Sequence, residues 1–279
     1  MLMSTQATRL AHALIKARMG GTLMPLLSAD GKLSVDDAYD VALSIVKIRT
    51  AQGENPVGRK IGFSNEKLWH VYGKGSLTAP IWSTLYDSTV HYAMDNVAAH
   101  SLSKSQQPRL EPQLVFKLAR TPAPDATLED ISDCLEWIAH GFEIVTSPFR
   151  HWEFEAADAV AAFGLHRALI VGEPRMISRQ SRRSLPDVLA SASMSISRSA
   201  AGSSSLCAAG FGRDVQGSPL HALLALHQQL QQREDTPNLQ AGEIVSTGSW
   251  TKALPVKRGE VWSSAFSQLN LGGLRVSFT

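Results

Sequence analysis

Along the first part of the chain, apolar positions recur at helical spacing. Between residues 7 and 19, Leu10, Ala13, Leu14 and Ala17 form one stripe while Arg9, Lys16 and Arg18 lie off it, which predicts a helix. Ser34 stands as an N-cap before Val35, Asp36 and Asp37, whose carboxylates suit the positive end of a helix dipole, and this second helix is predicted to run to about Thr50. From Pro56 onward the texture changes to short runs of Val, Ile, Phe and Tyr broken by Gly, Pro, Asn and Asp, the pattern of strands. Two helices are predicted within this β-rich part. One covers Thr127 to Ala139, with Gly141 as a left-handed cap; the other covers Ser218 to about Arg233, with Pro219 in its first turn. Met194 and Ile196 alternate with serines up to Ala200, Ala201 and Gly202, predicting an exposed hairpin. GEIVSTGSW, RGEVWSSAF and GGLRVSF then read as three strands separated by turn residues. The expected class is α+β: an N-terminal helical region over residues 1–55 and a β-rich domain over 56–279, together one compound domain.

Composition narrows the function. The 279 residues are 44% apolar and 19% charged, as in an ordinary globular protein, and a net charge of +2 is too small for a phosphate-binding face, so nucleic acid is not an expected partner. No apolar stretch approaches the roughly 20 residues of a membrane span, and the first twenty residues mix Arg, His and Lys with apolar positions. Neither a membrane anchor nor a secretory signal is expected. Cys134 and Cys207 can form neither a disulfide framework nor a four-thiolate zinc site; both read as structural, and the expected compartment is a reducing cytoplasm.

Chemistry is first suggested by QPRLEPQLVFKL, where Glu111 and Gln113 are two residues apart and so share one face of a strand. After the predicted helix comes GFEIV, and a strand, helix and strand can bring its Glu143 beside Glu111. Carboxylate, amide oxygen and carboxylate would then converge on a hard cation, Mg²⁺ or Mn²⁺ rather than zinc; the plain alternative is a strand-end ion pair and a surface glutamine. Lys60 lies in an apolar run between Gly58 and Gly62, either snorkelling to the surface or held at a site that needs a cation. Thr247, Gly248 and Ser249 end a strand with hydroxyls and an amide suited to a carboxylate, or form an ordinary turn. His166 is either a proton carrier or a partly buried structural histidine. His140 and His151 flank Glu143 and read as entrance or solvated loop residues, while the tryptophans read as core, subunit contact or an apolar wall.

Taken together and in order, VGRKIGFSN, PRLEPQLVF, GFEIV, AADAVAAFGLH and GEIVSTGSWTKALPVKRGE resemble the 2-keto-4-pentenoate hydratase and 2-oxo-3-hexenedioate decarboxylase branch of the fumarylacetoacetate hydrolase superfamily, over nearly the whole chain. The resemblance implies a mixed β-sandwich or roll core whose β-rich part is catalytic, a Mg²⁺ or Mn²⁺ site, small 2-oxo or 2-hydroxydienoate substrates from bacterial degradation of aromatic compounds, and a homo-oligomer. Position by position, it places metal ligands at Glu111, Gln113 and Glu143 and an active-site lysine at Lys60. Three positions depart from it. Gln113 stands where the family usually has Glu, Pro80-Ile81-Trp82-Ser83 replaces a Pro-Asp-Phe-Gly-like segment with Asp87 the nearest acid, and His166 occupies a position that is commonly small or polar. The implied reaction adds water to a 2-hydroxyalka-2,4-dienoate to give a 4-hydroxy-2-oxoalkanoate; from the residues themselves, Lys60 and His166 are the candidate proton carriers, and Thr247, Gly248 and Ser249 the candidates to bind the substrate's carboxylate. Three alternatives stay open. They are decarboxylation of a 2-oxo-3-enedioate, with Arg59, Arg109 or Arg150 toward its distal carboxylate; C–C hydrolysis of an acylpyruvate; and a metal-poor relative that binds a keto acid without turning it over.

Overall fold

The computed structural model describes residues 4–69, 79–200 and 202–279. Two helices, α1 (Ser4–Gly20) and α2 (Val35–Ala51), come first. Ser34 caps α2 in a reciprocal box with Asp37, which satisfies backbone donors that the first turn leaves over. The strands then follow as β1 (Pro56–Gly62), β2 (Ile81–Tyr86), β3 (Val90–Tyr92), β4 (Val97–His100) and β5 (Arg109–Leu118). A short helix α3 (Leu128–Asp133) leads into β6 (Leu135–Val145), and α4 (Ala156–Ala161) into β7 (His166–Val171) and β8 (Arg175–Met176). Helix α5 (Leu185–Ser191) precedes the paired strands β9 (Ser193–Ala200) and β10 (Ser203–Phe211). The chain ends with α6 (Pro219–Gln231), β11 (Ile244–Ser246), β12 (Leu254–Pro255), β13 (Val261–Ser267) and β14 (Arg275–Phe278).

The strands form two sheets. The larger runs β2-β1-β11-β5-β6-β7-β3, with β12 added to β5 and β8 to β6; the smaller runs β10-β9-β13-β14-β4. One buried cluster packs α1, α2, α4 and α6 against the larger sheet through Leu14, Val41, Val160, Leu223 and Phe116, so the N-terminal helices share its core. A second joins the two sheets through Leu110, Phe142, Ile144, Ile196, Trp262 and Phe278. Among the described residues no helix is long and apolar enough to cross a membrane.

The helix predicted over Thr127 to Ala139 is corrected. It stops at Asp133, Cys134 is its C-cap, and residues 135–139 open the eleven-residue strand β6. Leu135 to Val145 is buried almost throughout, so β6 lacks the alternation that marks a half-exposed strand. Gly141 is therefore a mid-strand residue, and a Cβ there would meet Val115 Cγ2 at 2.7 Å. Nor is a crossover involved, because β5 and β6 are antiparallel neighbours.

His140 is not on a loop or at an entrance. It is buried between the sheets with its ring against Phe142 and Phe266, and Nδ1 lies 3.1 Å from Ser264 Oγ. Burial alone pushes its pKa down to about 3. A folded value below the unfolded one means that the unfolded chain takes up the proton first, so this contribution to stability is present above about pH 6.5 and is lost as pH falls toward 3. Urea denaturation at pH 7 and pH 5 is expected to show that His140→Leu loses less stability on acidification than the parent chain; equal losses would contradict it.

Candidate active site

Neighbouring strands β1, β11, β5, β6 and β7 deliver the site. Lys60 is in register with Ser246 across β1 and β11, and Glu111 lies opposite Glu143 across β5 and β6. Gln113 follows Glu111 by two residues and so shares its face, opposite Gly141, which has no side chain to fill the space. The structure thus brings Glu111, Gln113, Glu143, Lys60 and His166 together.

Glu143, completely buried, is the centre of the charge network. Lys60 Nζ lies 3.1 Å from its Oε1 and donates to the Gly164 carbonyl at 3.0 Å. An ammonium has three protons, so one remains for the cleft that Lys60 also lines. His166 Nδ1 approaches the same Oε1 at 2.8 Å, and its Nε2 lies 3.0 Å from Thr89 Oγ1. Burial would raise the Glu143 carboxyl, but Lys60 and then His166 outweigh it and hold it below the usual range. Burial raises the Glu111 carboxyl; Lys60 offsets part of that, and the neighbouring Glu143 charge adds to it. His166 is pushed down to about 4 by burial despite Glu143. Its ring is therefore neutral near pH 7, both nitrogens are engaged, and it lies behind Glu143 and not on the cleft wall.

The Gln113 amide has a defined direction. Its Oε1 accepts from the Gly248 backbone N–H at 2.9 Å and from the Ser246 hydroxyl at 2.5 Å. A backbone N–H can only donate, so the oxygen must face Gly248 and the Nε2 group must face the two carboxylates. Nε2 lies 3.1 Å from Glu111 Oε2 and 2.5 Å from Glu143 Oε2. The amide oxygen expected as a third ligand is turned the other way. Gly248 makes this possible: its φ is 98°, and a Cβ there would meet Ser64 Oγ at 1.9 Å.

Gly248 therefore spends its amide on Gln113. Thr247 is completely buried and places both its amide and its hydroxyl on the Leu114 carbonyl. Of the three residues expected to bind substrate, only Ser249 lines the cleft. Its Oγ donates to the Thr251 carbonyl at 2.7 Å. A residue that sequence reasoning missed, Ser64, also lines it: the side chain is 1% exposed and its hydroxyl has no partner among the described residues. Only its place in the FSN run after Lys60 hinted at this. Asn65 and Thr251 add to the cleft's polar lining, and Phe63, Val145, Trp152, Leu165 and Ala253 form its apolar part.

The arginines divide. Arg59 pairs with Glu243 at 3.2 Å and Arg150 with His151 lines a separate groove beside Leu23, whereas the Arg109 guanidinium stacks 4.1 Å from the ring centroid of the cleft-lining Trp152. Trp82 stacks on Tyr39 with centroids 4.9 Å apart, and Asp87 accepts from Asn55; neither lines the cleft, and Ser83 lies behind its wall, in register with Lys60. Cys134 is buried and Cys207 half-buried; neither lines the cleft.

Only the Glu111 carboxylate lines the cleft; that of Glu143 lies buried behind it, with Oε1 on Lys60 and His166 and Oε2 joined to Glu111 through Gln113 Nε2, and carboxylates are the donors that a hard divalent cation takes, its shell completed by water or substrate. The Gln113 amide, donor side inward, does not match. Among the described residues no three His, Cys, Asp or Glu side chains gather as a metal centre.

No family model matches the chain. The 2-hydroxyhexa-2,4-dienoate hydratase of Comamonas testosteroni is 30% identical over 278 residues, covering 99% of this chain and 97% of the relative. The 2-keto-4-pentenoate hydratase of Paraburkholderia xenovorans is 26% identical, covering 98% of this chain and 95% of the relative. The structure of 4-oxalocrotonate decarboxylase from Pseudomonas putida G7, complexed with magnesium and adipate, is 23% identical and covers 100% of this chain and 99% of that one; its TM-score of 0.86 shows a shared fold.

Proposed function

This chain belongs to the fumarylacetoacetate hydrolase superfamily, in its hydratase branch, and from that premise we propose that it adds water to a 2-hydroxyalka-2,4-dienoate to give a 4-hydroxy-2-oxoalkanoate. The observation that carries the reading is the mixed lining of the cleft, where Lys60 and Glu111 share the wall with the apolar Phe63, Val145, Trp152 and Leu165. A 2-hydroxydienoate needs both kinds of surface: a carboxylate and enol oxygen at its head, a hydrocarbon tail behind.

Glu111 and Glu143 would hold a divalent cation, Mg²⁺ or Mn²⁺, which when bound supplies positive charge to the substrate's carboxylate and C2 oxygen. The Ser64 hydroxyl, which has no partner among the described residues, donates to the head group's oxygens, while Ser249 and Thr251 line the cleft with their hydroxyls on backbone carbonyls. Phe63, Val145 and Trp152 pack the diene and exclude bulk water. As the C2 hydroxyl loses its proton and becomes a ketone, a proton is added at the far carbon. Water then adds at C4 and a proton returns to C3, so the substrate gains one water in all. Lys60 is the group placed to move these protons: two of its N–H bonds are held by Glu143 and Gly164, which aims the third at the substrate. His166 contributes through Glu143, as an uncharged hydrogen-bond partner that fixes the carboxylate. A homo-oligomer acting in the cytoplasm completes the reading.

Decarboxylation of a dicarboxylate is less well served. Arg59 is turned to Glu243 and Arg150 to another groove, which leaves Arg109, stacked on the cleft-lining Trp152, as the one of the three beside the cleft. The ultraviolet decay of 2-hydroxypenta-2,4-dienoate tests the proposal. Loss is expected with added Mg²⁺ or Mn²⁺ and not with EDTA, with a product heavier by one water. Failure to exceed the spontaneous rate with both penta- and hexadienoate substrates would reject a hydratase, and release of CO₂ from a 2-oxo-3-enedioate would favour the decarboxylase.

A further inference from the structure

The turn between α4 and β7 is folded against local preference. Phe163, Gly164 and Leu165 take φ values of 61°, 57° and 64° in succession, a left-handed turn in which only glycine is at ease. All three are buried, and a Cβ on Gly164 would meet Ser83 Cβ at 2.8 Å. Successive residues in such a conformation persist only where the surroundings over-determine them, and this pattern concentrates at working sites. This turn makes two contacts with the site. The Gly164 carbonyl accepts from Lys60 Nζ at 3.0 Å, and the residue after the turn, His166, places Nδ1 2.8 Å from Glu143 Oε1. Lys60 and Glu143, which pair with each other, are thus both held from one short segment.

The surroundings that fix the turn come from the far end of the sequence. Arg18, near the end of α1, donates from Nη1 to the His166 carbonyl at 2.5 Å and from Nη2 to the Arg167 carbonyl at 2.8 Å. Its guanidinium carbon lies 4.8 Å from the centroid of the Phe163 ring. A planar fork can bridge two successive carbonyls and stack on a ring at once, which an ammonium cannot. Helix α1 is itself tied down, since Gln106 Nε2 donates to the Ala17 carbonyl at 2.9 Å. The Thr146 amide donates to the Leu165 carbonyl at 2.9 Å, so the turn is gripped by α1 on one side and by the end of β6 on the other.

We propose that Arg18 is a positioning residue for the hydration reaction: by clamping the left-handed turn at 163–165, it sets where Gly164 holds Lys60 and where His166 holds Glu143. The proposal rests on the hydratase reading, in which Lys60 and Glu143 are working groups. Arg18 itself touches neither substrate nor cleft and acts through the turn, whose Gly164 and Leu165 are only part of the lining, so its removal is expected to act more on turnover than on affinity. Arg18→Met lowers kcat by roughly 30-fold, as expected when a reacting group is misplaced by a fraction of an ångström, with KM changed less than about threefold. Arg18→Lys, which keeps the charge and loses the fork, falls between the two.

The experiment pairs these kinetics, expressed per folded protein, with amide hydrogen exchange followed by mass spectrometry. Exchange in the peptide covering residues 162–167 rises in both variants while the β5 and β6 peptides keep their protection. If Arg18→Met does not fold, Arg18→Lys decides by the same two readouts. A kcat within twofold of the parent, or unchanged exchange at 162–167, overturns the proposal. If the parent protein turns over no dienoate, the hydratase reading fails on its own account, and the exchange comparison still decides whether Arg18 clamps the turn.

Discussion

Lys60→Met lowers hydration by about 10³-fold, within the range by which a positioned proton carrier accelerates a reaction. Methionine keeps the length and most of the volume of the side chain but has no proton to give the cleft, the Gly164 carbonyl or Glu143. The change also leaves the Glu143 carboxylate buried without its cation, and breaking one partner out of a buried ion pair costs about 3–5 kcal/mol. Lost activity and lost stability therefore arrive together, and they can be separated. Adding Glu143→Gln to Lys60→Met removes the uncompensated charge, so the double variant is expected to regain much of the melting temperature while its turnover stays at the background. Activity returning with stability would remove both Lys60 and Glu143 from the chemistry, and a single variant with turnover within tenfold of the parent would remove Lys60 alone.

Legibility in the sequence follows the range of the interaction. α1, α2 and α6 can be read because each buries one stripe and the last two carry their own caps, Ser34 and Ser218, within a few residues. The start of β6 reads as helix because Leu135 to Val145 is buried on both faces, and a strand without alternation looks like the end of the helix before it. The convergence of Glu111, Gln113 and Glu143 is visible since a two-residue step and one strand pairing create it. Which way Gln113 points is not visible, because Ser246 and Gly248 decide that from more than 130 residues away. The commitment of Thr247 to Leu114, the enclosure of His166 and the clamp from Arg18 are likewise made by contacts that leave no local pattern. Spacing reports which face a side chain is on, and hydrogen-bond partners distant in sequence decide what it offers there.

Gln113→Glu tests the amide's direction most sharply. In the parent, Gly248 and Ser246 hold one end of the side chain, and the NH₂ end lies between Glu111 and Glu143 as a neutral donor that quiets two carboxylates. Glutamate keeps the first set of bonds, since a carboxylate oxygen can accept from both donors, but it replaces the NH₂ group with a second charged oxygen. Three carboxylates would then crowd one point, with Lys60 the cation in contact with them among the described residues. Without added metal the variant is expected to melt below the parent, because like charges brought into a buried site resist ionisation. With Mn²⁺ the order reverses: affinity rises by roughly 10- to 100-fold, equivalent to about 1.4–2.7 kcal/mol, since charge count sets the affinity of oxygen sites for hard cations. Calorimetric titration with Mn²⁺ and melting curves with and without the ion read both effects independently of catalysis. Unchanged Mn²⁺ affinity would mean that position 113 does not face the cation, and a metal-free variant as stable as the parent would mean that the amide does not bridge the carboxylates. Turnover discriminates further: tighter binding with little gain in rate marks the natural two-carboxylate site as already competent, whereas a large gain from near nothing would mark the parent chain as a binding protein that lost its reaction when Gln113 took the place of an acid.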